Sequence, residues 1–149
     1  MNLDALRQFF EDGIPFNRVL GFKVDALDHG SCITRVPFKP ELIGDVTRPA
    51  VHGGVLSTMA DAAGGLAVMA NLDVLAGVST IDLRVDYLRP AGKADLLCLA
   101  ETVRVGNRVG VTKMRIYQEE GDVTIAECRG VYNIRRLDQT RRPNSKDHT

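Results

Sequence analysis

No charge of either sign dominates this chain: 19 Lys and Arg are set against 19 Asp and Glu in 149 residues. That balance removes any compositional case for a nucleic-acid partner or for adsorption to a membrane through bulk charge. Cysteine is scarce and odd in number, at Cys32, Cys98 and Cys128, with no CxxC and no histidine at ligand spacing. The pattern suggests neither a disulfide framework nor a zinc site, so the thiols read as core residues in a reducing compartment. No run of about 18 uninterrupted apolar residues exists, and no membrane span is expected. The opening MNLDALRQFFEDGIPF carries early acids and no apolar run, which speaks against a secretory leader and for a cytoplasmic protein.

What is present suits one α+β domain over residues 1–137, with 138–149, almost devoid of apolar residues, as a disordered tail. Leu3, Leu6, Phe9 and Phe10 recur at helical spacing and stop at Gly13 and Pro15, giving one short N-terminal helix. GFKVDALDHGSCITRVPF breaks at Asp28-His29-Gly30, as two strands of a hairpin do. KPELIGDVTRP reads as a loop. A long helix follows over about Gly53 to Asn71, roughly 28 Å at 1.5 Å per residue. Gly64 and Gly65 inside it, each costing about 1 kcal/mol, signal that something packs close to its backbone. After Gly77, four strand-like segments alternate with short connections at Pro90-Ala91-Gly92, Gly106-Asn107 and Glu119-Glu120-Gly121-Asp122, an antiparallel meander. The sum is one long helix against a curved sheet of five to six antiparallel strands.

The chemistry concentrates in RPAVHGGVLSTMADAAGGLAVMA, Arg48 to Ala70. Gly53 and Gly54 open the helix, so their N–H groups lack intrahelical acceptors and can face an external oxygen. With the helix dipole they would stabilise the negative charge that a carbonyl develops under attack. Asp61 lies eight residues on, roughly 12 Å along the axis, too far for one helix to bring both groups to one carbonyl. A second copy packed antiparallel across a two-fold axis would set the Asp61 of one chain against the Gly53 end of the other. The dimer is then the expected catalytic unit, with Ala60, Ala62, Ala63, Gly64, Gly65 and Ala67 permitting close approach of substrate or partner.

HGG, six residues, Asp61 and the later GVSTIDLRVDYLRPA together resemble the hotdog-fold acyl-CoA thioesterases of the phenylacetate-degradation type, over about Phe16 to Asn133. The resemblance implies a helix wrapped in a curved antiparallel sheet, a dimer or dimer of dimers, and hydrolysis of acyl-coenzyme A to the free acid and coenzyme A. It implies that the Gly53 amide polarises the thioester carbonyl, that Asp61 of the opposing subunit is base or nucleophile, and that Ser79 helps place the attacking water. His52 is implied to orient the loop and helix start. Where several members carry asparagine, this chain has Asp45 and Val46. A carboxylate donates no hydrogen bond unless protonated. Arg89 and Arg108 are the candidate phosphate ligands. A thioester is already activated, so carboxylate, oxyanion contact and water suffice without a cofactor.

Taken alone, an acid in a helix reads as a solvated surface residue, and Ser79 as a polar strand start. Two rival functions are weighed: a non-catalytic acyl-CoA-binding module, opposed by the joint presence of Gly53, Asp61 and Ser79, and a hotdog hydratase or dehydratase, whose histidine–acid pattern differs. The acyl group is left open between aryl and medium-chain.

Overall fold

The computed structural model describes residues 1–74, 76–119 and 123–136. The expected tail 138–149, and the centre of the Glu119–Asp122 connection, lie outside them.

The N-terminal segment holds two helices where the sequence suggests one. Helix α1 (Leu3–Gln8) is capped by Asn2, whose Oδ1 accepts from the amides of Asp4 and Ala5. It runs into a π turn, Phe9–Gly13, and the chain then restarts as α2 (Pro15–Leu20). Pro15 ends the first pattern but is well suited to open a helix, because the first turn has no use for its missing N–H. The π turn drives Phe10 inward, edge-on to Phe22 at 5.4 Å between centroids. The buried Asn17 amide donates to the Phe10 carbonyl at 2.8 Å and pins α2 to the turn.

Strands β1 (Lys23–Asp28) and β2 (Ser31–Val36) form the expected hairpin, with Gly30 at φ 77° in the turn. The segment read as loop instead folds a 3₁₀ turn and a small ribbon, β3 (Ile43–Asp45) against β4 (Ala50–Val51). A Cβ on Gly44 would lie 2.7 Å from the His52 Cα, so only glycine lets the ribbon close there. The ribbon delivers the chain directly into helix α3 (Gly53–Asn71).

Strands β5 (Ala76–Tyr87), β6 (Leu96–Val105), β7 (Val109–Tyr117) and β8 (Thr124–Arg136) complete a six-stranded antiparallel sheet. Its order is β1-β2-β6-β7-β8-β5. The meander therefore holds for β6–β8 only: β5 pairs with β8 at the outer edge, and the chain crosses to the middle of the sheet before β6. Pro90-Ala91-Gly92 cannot act as a tight hairpin. Such turns need positive φ, Gly92 does not adopt it, and the residue before proline favours extended backbone.

Helix α3 packs against all six strands of this sheet. It is long and apolar enough to cross a membrane by length and composition, yet over half of that stretch is buried within the fold. The chain's own sheet explains part of the small-residue run: Ala60, Ala63 and Ala67 are fully buried. A Cβ on Gly64 would collide with the Tyr132 hydroxyl and stand 2.9 Å from Thr112 Oγ1. The close neighbour signalled by Gly64 is thus Tyr132, not a substrate or a second chain. Cys32, Cys98 and Cys128 are free and buried on the same inner surface.

Candidate active site

The start of α3 is organised by His52. Its Nδ1 accepts the Gly54 N–H at 2.8 Å, an N-cap made by an imidazole. The Gly54 amide, expected to bind substrate, is therefore engaged within the chain and is not an open donor here. The Gly53 N–H has no partner among the described residues, and it is the donor left facing outward at the positive end of the helix dipole. His52 thus caps the helix start. Tyr87, which no motif in the sequence marks as a site residue, lies across this end: its hydroxyl donates to the Gly53 carbonyl at 3.3 Å.

Asp61 sits two turns further on, half-buried, on the one stripe of α3 that the sheet leaves open. Thr80 donates its hydroxyl to Asp61 Oδ1 at 2.6 Å. Asp61 Oδ2 has no partner among the described residues. Beneath it, the Tyr132 hydroxyl donates to the Asp61 carbonyl at 2.9 Å and fixes the helix to β8 at this level. Burial, with the negative charge of Asp61 nearby, drives the Tyr132 pKa upward, so its hydroxyl keeps its proton.

Ser79 is not part of this group. A register shift between Thr80 and Asp82 places one extra residue, Ile81, in β5. Because side chains alternate along a strand, that single insertion exchanges the two faces. Alternation carried back from Tyr87, Val85 and Leu83 would turn Ser79 toward the helix. With the bulge, Thr80 and Val78 face α3, while Ser79 pairs with the exposed Asn133 on the far side. Thr80 occupies the place expected of Ser79.

Asp61 and Thr80 lie at an open cleft of about 280 Å³ between α3, the start of β5 and the N-terminal segment. Apart from these two, Thr58 and Asn17, its lining is apolar or aromatic. No part of Gly53 borders it, so the two halves of the expected site remain separate within one chain.

Asp45 is directed into its own loop. Its Oδ1 accepts from the Thr47 amide and hydroxyl and from the Arg48 amide. These hydrogen bonds, led by that of the Thr47 hydroxyl, hold the carboxyl down at about 2. Arg89 donates Nη1 to the Thr124 carbonyl at 2.7 Å, at the start of β8. Arg108 stands with Arg135 and Arg136 around a polar cleft near the end of β8. The two expected phosphate ligands are therefore near opposite ends of β8, at Thr124 and at Ile134, roughly 33 Å apart measured along the strand at 3.3 Å per residue. No group of three or more His, Cys, Asp or Glu is placed to hold a metal ion among the described residues.

Comparison with known proteins agrees with this architecture. Residues 49–125 match the family model "Thioesterase superfamily". A relative in Halobacterium salinarum that bears an esterase name is 41% identical over 120 residues, covering 75% of this chain and 76% of its own. The medium/long-chain acyl-CoA thioesterase YigI of Escherichia coli is 28% identical over 145 residues, covering 89% and 93%. A crystal structure from Shewanella oneidensis, related to the thioesterase superfamily, superposes with TM-score 0.80 at 33% identity, covering 89% and 94%. The fold is the hotdog, a central helix wrapped by a six-stranded antiparallel sheet, and the chain belongs to the thioesterase superfamily.

Proposed function

We propose that this chain hydrolyses acyl-CoA thioesters to the free acid and coenzyme A, as a two-fold dimer of the phenylacetate-degradation type. The observation that carries the reading is Asp61: a carboxylate on the open stripe of a core helix, held by Thr80 at 2.6 Å at the mouth of an apolar cleft. The names of the relatives accord with it, that of the Escherichia coli protein specifying medium- and long-chain acyl-CoA.

In this reading Asp61 takes a proton from water, which attacks the thioester carbonyl carbon. The tetrahedral oxyanion is held by the free Gly53 amide of the opposing subunit. Collapse breaks the C–S bond, the acyl group leaves as carboxylic acid, and coenzyme A leaves as thiolate and takes the proton from Asp61, which restores the carboxylate. Thr80 holds one carboxylate oxygen so that Oδ2 can serve as base. No cofactor enters this sequence of steps.

Strand β5 supports the dimer. Its outer edge is unpaired among the described residues, and it carries exposed Ile81 and Tyr87. Antiparallel pairing of two β5 edges would bring the Tyr87–Gly53 end of one chain toward Thr80 and Asp61 of the other. The same operation would bring Arg89 of one chain toward Arg108, Arg135 and Arg136 of the other, a joint site for the coenzyme's phosphates. In this scheme two such dimers pair without altering either site, and the balanced charge fits a protein with no membrane or nucleic-acid partner.

The deciding assay follows thiol release from a panel of acyl-CoAs. Wild type is expected to release coenzyme A, and Asp61→Ala to lose about 10²- to 10⁴-fold, the range of a lost general base. Equal rates in both would remove Asp61 from its role, while binding without turnover across the panel would favour the non-catalytic acyl-CoA-binding module.

A further inference from the structure

The cleft beside Asp61 is built as a channel with a length. Along α3 its floor is marked by Thr58, Asp61, Ala62, Gly65 and Met69, positions that recur on one helix face. From Asp61 to Met69 the helix advances roughly 12 Å. Ile14 and Phe16 of the N-terminal segment lie across this floor, and Val78 stands at its side. Between Asp61 and Met69 the floor offers no hydrogen-bonding side chain.

The roof is not a loose appendage. Phe10 is buried against Phe22, and the buried Asn17 amide fastens α2 to the Phe10 carbonyl. Pro15 and the π turn set where Ile14 and Phe16 fall, and π turns of this kind recur at functional sites. Gly65 keeps the floor low: a Cβ there would make ordinary contact with the Tyr132 ring at 3.6 Å, so the fold itself tolerates a side chain and the open space is not forced by packing.

We infer that this channel receives a straight aliphatic acyl chain, lying along α3 from Asp61 toward Met69 beneath Ile14 and Phe16, and that Met69 sets the chain length. The inference rests on the thioesterase reading for the position of the carbonyl. An extended chain advances about 1.25 Å per carbon, from a 1.52 Å bond near the tetrahedral angle. The 12 Å run therefore takes about ten carbons.

The test compares kcat/KM for acyl-CoAs of four to sixteen carbons, together with phenylacetyl-CoA, in wild type, Met69→Trp, Met69→Ala and Phe16→Ala. Val19→Ser, exposed on α2 and outside the channel lining, is the control. Equilibrium binding of the non-hydrolysable S-alkyl-CoA thioethers is measured in parallel. In wild type each methylene up to about ten carbons should raise kcat/KM by up to about fourfold, the value of one buried CH₂, with no gain beyond. Met69→Trp should move the limit to shorter chains and Met69→Ala to longer ones. Phe16→Ala, at an exposed position that should not endanger folding, should flatten the slope, and Val19→Ser should leave the profile in place.

Turnover with superimposable chain-length profiles in all variants overturns the channel and leaves the hydrolase reading standing. The expected shifts in thioether binding without turnover in any protein sustain the channel and overturn the hydrolase reading. A preference for the aryl thioester over every straight chain overturns the inference, as does absence of chain-length dependence in binding.

Discussion

At the scale of single residues the site turns on two neighbours, Ser79 and Thr80, that differ by one methyl group and by the face on which they stand. The 2.6 Å hydrogen bond from Thr80 to Asp61 fixes the carboxylate's orientation. Thr80→Val keeps the shape and removes the donor; it should cost roughly tenfold or more in kcat, in line with a charge-assisted hydrogen bond worth about 1.5–3 kcal/mol. Ser79→Ala, on the opposite face, should leave kcat within about twofold. Steady-state kinetics on both variants decides between them, and the reverse ranking would restore Ser79. The thiols make a second residue-scale prediction. Burial pushes Cys32 and Cys128 up to about 12, Cys128 aided by nearby Asp86 and Glu127, and it also raises Cys98 well above the usual thiol range. At pH 8 only about one Cys32 or Cys128 thiol in 10⁴ is then ionised. Native protein should be silent to a disulfide-exchange reagent, and three thiols per chain should react on denaturation. Since the unfolded thiols ionise near 8.5, stability is full below that pH and falls as pH rises from there toward 12.

Elements differ in how openly the sequence declares them. Helix α3 and the β1–β2 hairpin were legible because period and turn chemistry agree: a run of small and apolar residues between HGG and Asn71, and Asp28-His29-Gly30 between alternating strands. The second N-terminal helix and the β3–β4 ribbon were not, since Pro15 and the Pro- and Gly-rich segment 37–49 look like stops until tertiary contacts use them. The bulge at Ile81 has no compositional signature at all, and it is what hid Thr80. Gly64 announced a close neighbour without naming it. That neighbour yields the prediction proper to this scale: Gly64→Ala drives a methyl into the Tyr132 hydroxyl and Thr112, an overpacking that should cost about 1–3 kcal/mol. Tyr132→Phe alone loses the hydrogen bond to the Asp61 carbonyl, about 1 kcal/mol. The double variant should be less destabilised than the sum of the two, because removal of the hydroxyl makes room for the new methyl. Denaturant unfolding of all four proteins closes the cycle, and strict additivity would refute the contact.

For the whole molecule, the proposed reaction asks two groups about 12 Å apart on one rigid helix to serve one carbonyl. Neither bending of α3 nor side-chain reach provides an answer: the helix is clamped to β8 through Tyr132 at the level of Asp61, and its start is capped by His52. A two-fold axis through the free edge of β5 provides one, and it makes a prediction that no single-chain mechanism shares. Gly53→Pro removes the unpaired amide at the first helical position, where proline is tolerated. His52 before it already has φ −59° and ψ 132°, the extended backbone that precedes proline. Asp61→Ala removes the base. Each variant alone should be inactive. Mixed and re-equilibrated in equal amounts, half of the dimers are heterodimers, each with one site that keeps both Gly53 and Asp61, so activity should return to roughly a quarter of wild type. Native mass spectrometry confirms that mixed dimers have formed, and their formation without recovered activity would show that Gly53 and Asp61 do not meet across the axis.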